Sequence, residues 1–404
     1  MIFYQKGHDA KMKDLQQTKG TMGSLAPSET LAIAAKAKAL IAEGHDVCSM
    51  SAGEPDFDTP DYIKDAAIDA LKKGKTKYTP ATGIPELRKA IAEKLTKENG
   101  VPSSPEQVVV APGAKFSVFS AIVSLCGPGD EVIIPAPYWV SYPEMVKATG
   151  AKTVLINCKA ENNYELLPKD LEAAITPNTK LLILNSPSNP TGAIYRKETI
   201  KAIADIAVKN NFMVLSDEIY EKLVYDKELP HVSIASLGKE ISDLTITVNG
   251  FSKAYSMPGW RLGYLSAPLW LAKRVSAFQS HTTSNPTTFA QYGALAALTS
   301  NVEIEKMRDV FASRRDLIYN LVSAIPGIKC IRPSGAFYLF CDVSSFGINS
   351  AEFCERLLSE DKVAAVPGLP FGTEGHIRLS YACADELIKK TAERLKNFCA
   401  KLKK

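Results

Sequence analysis

Two cationic side chains stand eight residues apart in the stretch GFSKAYSMPGWRLGY, residues 250–264. Lys253 comes just after the apolar run Leu244-Thr245-Ile246-Thr247-Val248, and Arg261 follows it. A lysine at a strand end, set among small residues, is placed to form a Schiff base with an aldehyde. An arginine nearby can hold a phosphate through paired hydrogen bonds. An aldehyde and a phosphate on one small molecule describe pyridoxal phosphate. Taken alone, the stretch is explained equally well by a lysine that faces water.

Other strand-like runs also end on polar residues or tight turns. Gln107–Ala111 leads into Pro112-Gly113-Ala114-Lys115, where a helix should start, and a helix N-terminus opened by glycine favours a phosphate. Leu181–Asn185 leads into Ser186–Gly192, a Pro-rich turn that can present the amide of Asn189. Phe212–Ser216 delivers Asp217, followed by Glu218, Ile219 and Tyr220. A carboxylate there can keep a pyridine nitrogen protonated and make the ring an electron sink. Singly, Gly113 reads as a tight turn, Asn189 as turn chemistry and Asp217 as a helix cap. In this order with Lys253 and Arg261, coincidence is hard to defend.

The elements that must position these residues alternate. Runs at 107–111, 131–135, 152–156, 180–185, 212–216 and 244–248 read as strands, and 85–99, 114–125 and 197–210 as helices between them. That alternation predicts an α/β fold with a mostly parallel sheet covered on both faces. Beyond about residue 310 a long helix (302–323), short strands (336–342, 376–380) and a closing helix (384–403) predict a smaller α+β domain. The expected division is an arm over 1–25, a small domain from 26–60 with 310–404, and a large domain over 61–309.

Composition narrows the function classes. A net charge of +4 over 404 residues, with no basic cluster, gives no footprint for nucleic acid. The eight cysteines are scattered without a C-x-x-C pair, and the five histidines do not gather near them. That argues against a structural metal or a disulfide framework and suits a reducing cytosol. No apolar run reaches the roughly 18 residues of a membrane span.

The motifs NSPSNPTG (185–192), SDEIYE (216–221) and SKAYSMPGWRLGY (252–264) resemble the fold-type I pyridoxal-phosphate aminotransferases. AGEPDFDTP (52–60), KYTPATGIPELR (77–88), PAPYWVSYPEM (135–145) and RLSYA (378–382) are similar to the bacterial Ib branch of the class I aspartate aminotransferases. The resemblance covers about residues 25–400 and implies a seven-stranded sheet in the large domain. It implies that Lys253 is the Schiff-base lysine and proton shuttle, and that Asp217 pairs with the pyridine nitrogen. Asn189 and Tyr220 would reach the phenolic oxygen, and Trp139 would stack on the ring. Gly113, Ala114, Lys115, Ser252 and Arg261 would hold the phosphate. Tyr78 would reach the phosphate of a second subunit, implying a homodimer with shared sites.

For the substrate, the resemblance implies Arg378 and the backbone of Gly53 at the α-carboxylate, with Trp139 and Asn189 close by. The sister branch takes the substrate's second carboxylate with an arginine near 281–288, but here that stretch is HTTSNPTT. Lys115 and Thr30 are implied instead. Glu29 stands where a small residue is usual and would repel an acid unless it points outward. Pro258 stands where threonine is common. The expected reaction transfers an amino group from aspartate to 2-oxoglutarate in the cytosol. Its alternatives are a bifunctional aspartate/prephenate enzyme, an aromatic or alanine aminotransferase, and a binding protein on a degenerate aminotransferase fold.

Overall fold

The structure, a computed structural model, describes residues 25–402, so the expected arm lies outside the described residues but for its last one. The strands are β1 (Cys48–Ser49), β2 (Val108–Ala111), β3 (Glu131–Ala136), β4 (Lys152–Asn157), β5 (Thr179–Asn185), β6 (Met213–Asp217) and β7 (Thr245–Gly250). They continue with β8 (Gly263–Ser266), β9 (Lys329–Cys330), β10 (Tyr338–Asp342), β11 (Val363–Ala364), β12 (Val366–Pro367) and β13 (His376–Ser380). Seven of them form one sheet in the order β2-β8-β7-β6-β5-β3-β4. Only β8 in this sheet is antiparallel to its neighbours, as the alternating sequence pattern predicts for a mostly parallel sheet. A second, antiparallel sheet has the order β12-β13-β10-β9, and β1 pairs with β11.

Successive strand residues point to opposite faces, and both faces are buried. Val109, Val132, Ile134, Ile183, Leu215 and Ile246 pack with residues of helices Ala114–Leu125, Ser141–Thr149 and Leu269–Ser280. Their neighbours Ile133, Leu182, Leu184 and Val214 pack on the other face with helix Lys197–Asn210. Val108, Val110 and Tyr264 pack there with helices Pro85–Glu98 and Thr288–Ala297. This two-sided burial is why the strands read as near-continuous apolar runs. Since the six other strands run one way, the C-terminal ends of β2, β3, β5, β6 and β7 open on one edge, where ligands of such sheets bind.

The antiparallel sheet has its own core of Phe337, Leu339, Phe353, Leu395 and Phe398. The first described helix, Glu29–Ala42, packs Ala37 against Leu358 and Ala364. The long helix Val302–Ser323 belongs to both cores: Ile304 packs with Leu262 and Ala294, while Met307 and Phe311 pack with Phe337. Residues 309 and 310, where the sequence pattern divides the domains, fall inside this helix. Among the described residues no helix is long and apolar enough to cross a membrane.

Phe311 is fully buried, with its ring centroid 5.5 Å from Phe57 and 5.4 Å from Phe337. Phe311→Ala is expected to lower the unfolding free energy by about 3–5 kcal/mol. Urea unfolding followed by circular dichroism checks this, and an unchanged midpoint would show that the junction is not a core.

Candidate active site

Asp217 is the last residue of β6 and is buried. The hydroxyl of Tyr142 donates to its Oδ2 at 2.7 Å and the amide of Ile219 to its Oδ1 at 3.2 Å. Burial raises its pKa to about 6, against the pull of the Tyr142 hydroxyl. No lysine or arginine makes an ion pair with it among the described residues.

Lys253 follows the end of β7 by three residues, with buried Ser252 beside it. Its ammonium donates to the carbonyl of Gly53 and lies 5.9 Å from the Tyr220 ring centroid and 5.8 Å from that of Phe337. Burial brings its pKa down to about 8, partly opposed by the Glu54 carboxylate. The amine is therefore far easier to deprotonate than a surface lysine. Tyr220, also buried, shares a 2.8 Å hydrogen bond with the hydroxyl of Tyr338.

Gly113, with φ at 90°, caps helix Ala114–Leu125. A Cβ there would collide with the Arg261 guanidinium, so the left-handed backbone and the close approach both require glycine. Gly263 on β8 likewise lies against the backbone of Ala114, seating the helix start on the sheet. Arg261 donates to the carbonyls of Pro258 at 2.9 Å and Pro112 at 3.4 Å and pairs with no described carboxylate. Pro258 opens the turn Pro258–Trp260, so its carbonyl helps aim that guanidinium. The open amides of a helix start beside an unpaired guanidinium form an anion cradle.

Lys115, one residue into the same helix, holds its ammonium 4.9 Å from the Trp139 ring centroid. Its pKa is lowered by burial and then by Arg261. Trp139 meets Tyr142 edge to face, with centroids 5.2 Å apart.

Arg378, on β13, is 3% exposed. Its Nη1 donates to Asn189 Oδ1 at 2.9 Å and its Nη2 to the carbonyl of Ser51 at 3.1 Å, while Nε has no partner. Asn189 is fixed in turn by its amide, which donates to Asn185 Oδ1 at 2.8 Å. Burial lowers the arginine's pKa, yet no described carboxylate pairs with it.

Lys253, Asp217, Tyr220, Gly113, Ala114, Lys115, Trp139, Asn189, Arg261, Gly53 and Arg378 thus gather around one sheet edge. Tyr78 is 90% exposed, and the Thr30 hydroxyl pairs with Ser28 Oγ at 2.9 Å. Glu29 is exposed on the first turn of its helix. Tyr142, Tyr338 and Ser51 belong to the site without having drawn notice in the sequence. For Tyr142 a signal existed: it lies three residues after Trp139, on the same face of a helical turn.

Beneath β6 a second polar group is found, with ligand atoms of Glu218, Glu221 and His231 within 4.8 Å of one another. Lys94 and Asn99 donate to Glu221, and Ser216 and Ser233 to Glu218 at 2.8 and 2.6 Å. His231 Nε2 lies 3.1 Å from Glu218 Oε2. Lys94 pairs with Glu221 and the His231 ring lies against Glu218, so the group reads as a buried ion-pair network.

Residues 45–395 match the family model described as aminotransferase class I and II. The chain is 45% identical to the aspartate aminotransferase of Bacillus subtilis, covering 94% of this chain and 98% of that one. It is 47% identical to a probable aspartate/prephenate aminotransferase of Aquifex aeolicus, over 92% of this chain and 96% of the relative. The solved aspartate aminotransferase of Thermus thermophilus with maleate superposes with a TM-score of 0.91 at 44% identity, covering 94% of this chain and all of that one (100%).

Burial pulls the His231 pKa down, but the Glu218 and Glu221 carboxylates together outweigh it and the net shift is upward from 6.5. A raised folded pKa contributes stability that is complete below pH 6.5 and lost as pH rises through the folded value. Melting temperature should fall over that window in the wild type, and His231→Gln should flatten the decline. Parallel profiles for the two proteins would show that His231 does not titrate with folding.

Proposed function

The chain belongs to the class I and II aminotransferases, and from that premise we propose that it transfers the amino group of aspartate to 2-oxoglutarate, giving oxaloacetate and glutamate. We propose pyridoxal phosphate as its cofactor. The observation that carries this reading is Asp217, Lys253 and Arg378 facing one strand edge, all without an ion-pair partner from the described chain.

The residues fit that cofactor. Asp217 is a buried carboxylate lacking a cation, and Gly113, Ala114 and Arg261 leave an anion cradle beside it. When bound, pyridoxal phosphate supplies an aldehyde for an amine to capture and a ring that takes up electrons from the substrate's Cα. Asp217 would keep the ring nitrogen protonated, and Ser252, Arg261 and the helix amides would hold the phosphate. Asn189 and Tyr220 would donate to the ring's phenolic oxygen, and Trp139 would cover one ring face. Lys253 Nζ would take the Cα proton and return it on the far side of the transfer. With a pKa near 8, that amine can both hold and release a proton near neutral pH.

Arg378 would bind the α-carboxylate through its free N–H groups, with the Gly53 backbone beside it. Lys115 would meet the second carboxylate of the diacid, assisted by Thr30. A lysine is a mobile point charge rather than a fixed fork, so more than one acidic substrate should be accepted. The relatives named aspartate/prephenate aminotransferase, at 44–47% identity, support prephenate as a second acceptor. We further propose a homodimer, in which exposed Tyr78 reaches the phosphate of the other copy, and closure of residues 26–60 with 310–404 over 61–309.

Steady-state kinetics with aspartate and 2-oxoglutarate test the reading, with prephenate run beside the oxo acid. Lys253→Ala should still bind the cofactor and lose at least about 10²-fold in kcat. Near-normal turnover in that variant would remove Lys253 as the proton carrier. Lys115→Ala should raise KM for aspartate while KM for alanine stays unchanged. Equal effects on both would place Lys115 outside the diacid site.

A further inference from the structure

Two other arginines among the described residues are buried as Arg378 is, and they show what it lacks. Arg315 pairs with Asp226 at 3.1 Å and Asp316 at 2.8 Å. Arg314 pairs with Asp56 at 2.8 Å and Asp385 at 3.4 Å. Both also touch aromatic rings, so ring contact alone does not set them apart. Arg378 has the rings without the carboxylates: its Cζ lies 4.4 Å from the Tyr338 ring centroid and 5.0 Å from that of Phe371.

A buried cation without a counter-ion is costly, and the face of an aromatic ring offsets part of that cost through its quadrupole. A ring does so without engaging the in-plane N–H groups, which a carboxylate would occupy. The placement of both rings is fixed. Tyr338 starts β10, the strand paired with β13, and its hydroxyl is tied to Tyr220. Phe371 is fully buried in the turn Leu369–Phe371, sits edge-on to Phe340, and its carbonyl accepts the Tyr138 amide at 3.0 Å.

We propose that Tyr338 and Phe371 are positioning residues that take the place of the counter-ion Arg378 lacks. They hold the guanidinium oriented with N–H groups to spare, so that a ligand carboxylate brings the first full negative charge it meets. This rests on the reading of Arg378 as the α-carboxylate site. The hydroxyl of Tyr338 serves Tyr220 and is not needed for this role, whereas its ring is.

The test is calorimetric titration of the cofactor-loaded protein with maleate, a readout independent of turnover. Tyr338→Leu and Phe371→Leu should raise the maleate Kd about 5- to 30-fold, and Tyr338→Phe should stay within about 2-fold of wild type. Cofactor affinity should not move in Phe371→Leu, whose ring packs in the cluster of Tyr164, Phe340 and Val366. That variant carries the test if Tyr338→Leu fails to load. A wild-type Kd in both leucine variants would overturn the proposal, as would an equal loss in Tyr338→Phe. A wild-type protein that takes up cofactor but not maleate would overturn the diacid reading itself, and this inference with it.

Discussion

Three charges without ion-pair partners of their own, two of them buried, dominate this structure. Asp217 and Arg378 are buried and Lys253 is half-buried beside them, and none is neutralised by an ion pair within the described chain. Leaving a buried charge unpaired costs several kcal/mol, which folding must recover elsewhere. The recovery is visible in the neighbours. Asp217 takes a tyrosine hydroxyl and a backbone amide, Lys253 a carbonyl, and Arg378 a carbonyl, an amide oxygen and two ring faces. Each contact is polar enough to keep the charge tolerable and neutral enough to leave it reactive. Burial is the main cause of the pKa values of about 6 for the acid and about 8 for the amine, opposed by the Tyr142 hydroxyl at Asp217 and the Glu54 carboxylate at Lys253.

The same contacts join the two sheets. Lys253 reaches Gly53, Tyr220 reaches Tyr338, and Arg378 reaches across to Asn189. Each pair takes one member from a C-terminal end of the parallel sheet and the other from the segment before it or from the antiparallel sheet. The long helix Val302–Ser323, rooted in both cores, holds those partners in register. A ligand bound between these groups touches both sheets at once.

Much of this was legible in the sequence for a physical reason. A strand buried on both faces is a largely apolar run, so the first charged residue after it stands out, as Asp217 and Lys253 do. Gly113 was legible because a glycine at a helix start has few other uses. The aromatic residues were not. Tyr142, Tyr338 and Phe371 sit in apolar surroundings and read as core, and only three-dimensional contact separates a ring that fills space from one that supports a charge. Nor does the helix Val302–Ser323 announce in its sequence that it serves two cores, since its periodicity is unbroken across residues 309 and 310. Tyr78 and Thr30 rest on resemblance alone, Tyr78 being exposed and the Thr30 hydroxyl paired with Ser28.

The central claim is that these unpaired charges await a pyridoxal cofactor and an acidic amino acid. It is met most directly by the absorption spectrum of the cofactor-loaded protein before and after aspartate alone is added. The account predicts that the band of the bound aldehyde form converts to that of the amine form with no oxo acid present. A band that stays unchanged with aspartate would contradict it, and would leave the site built for another donor.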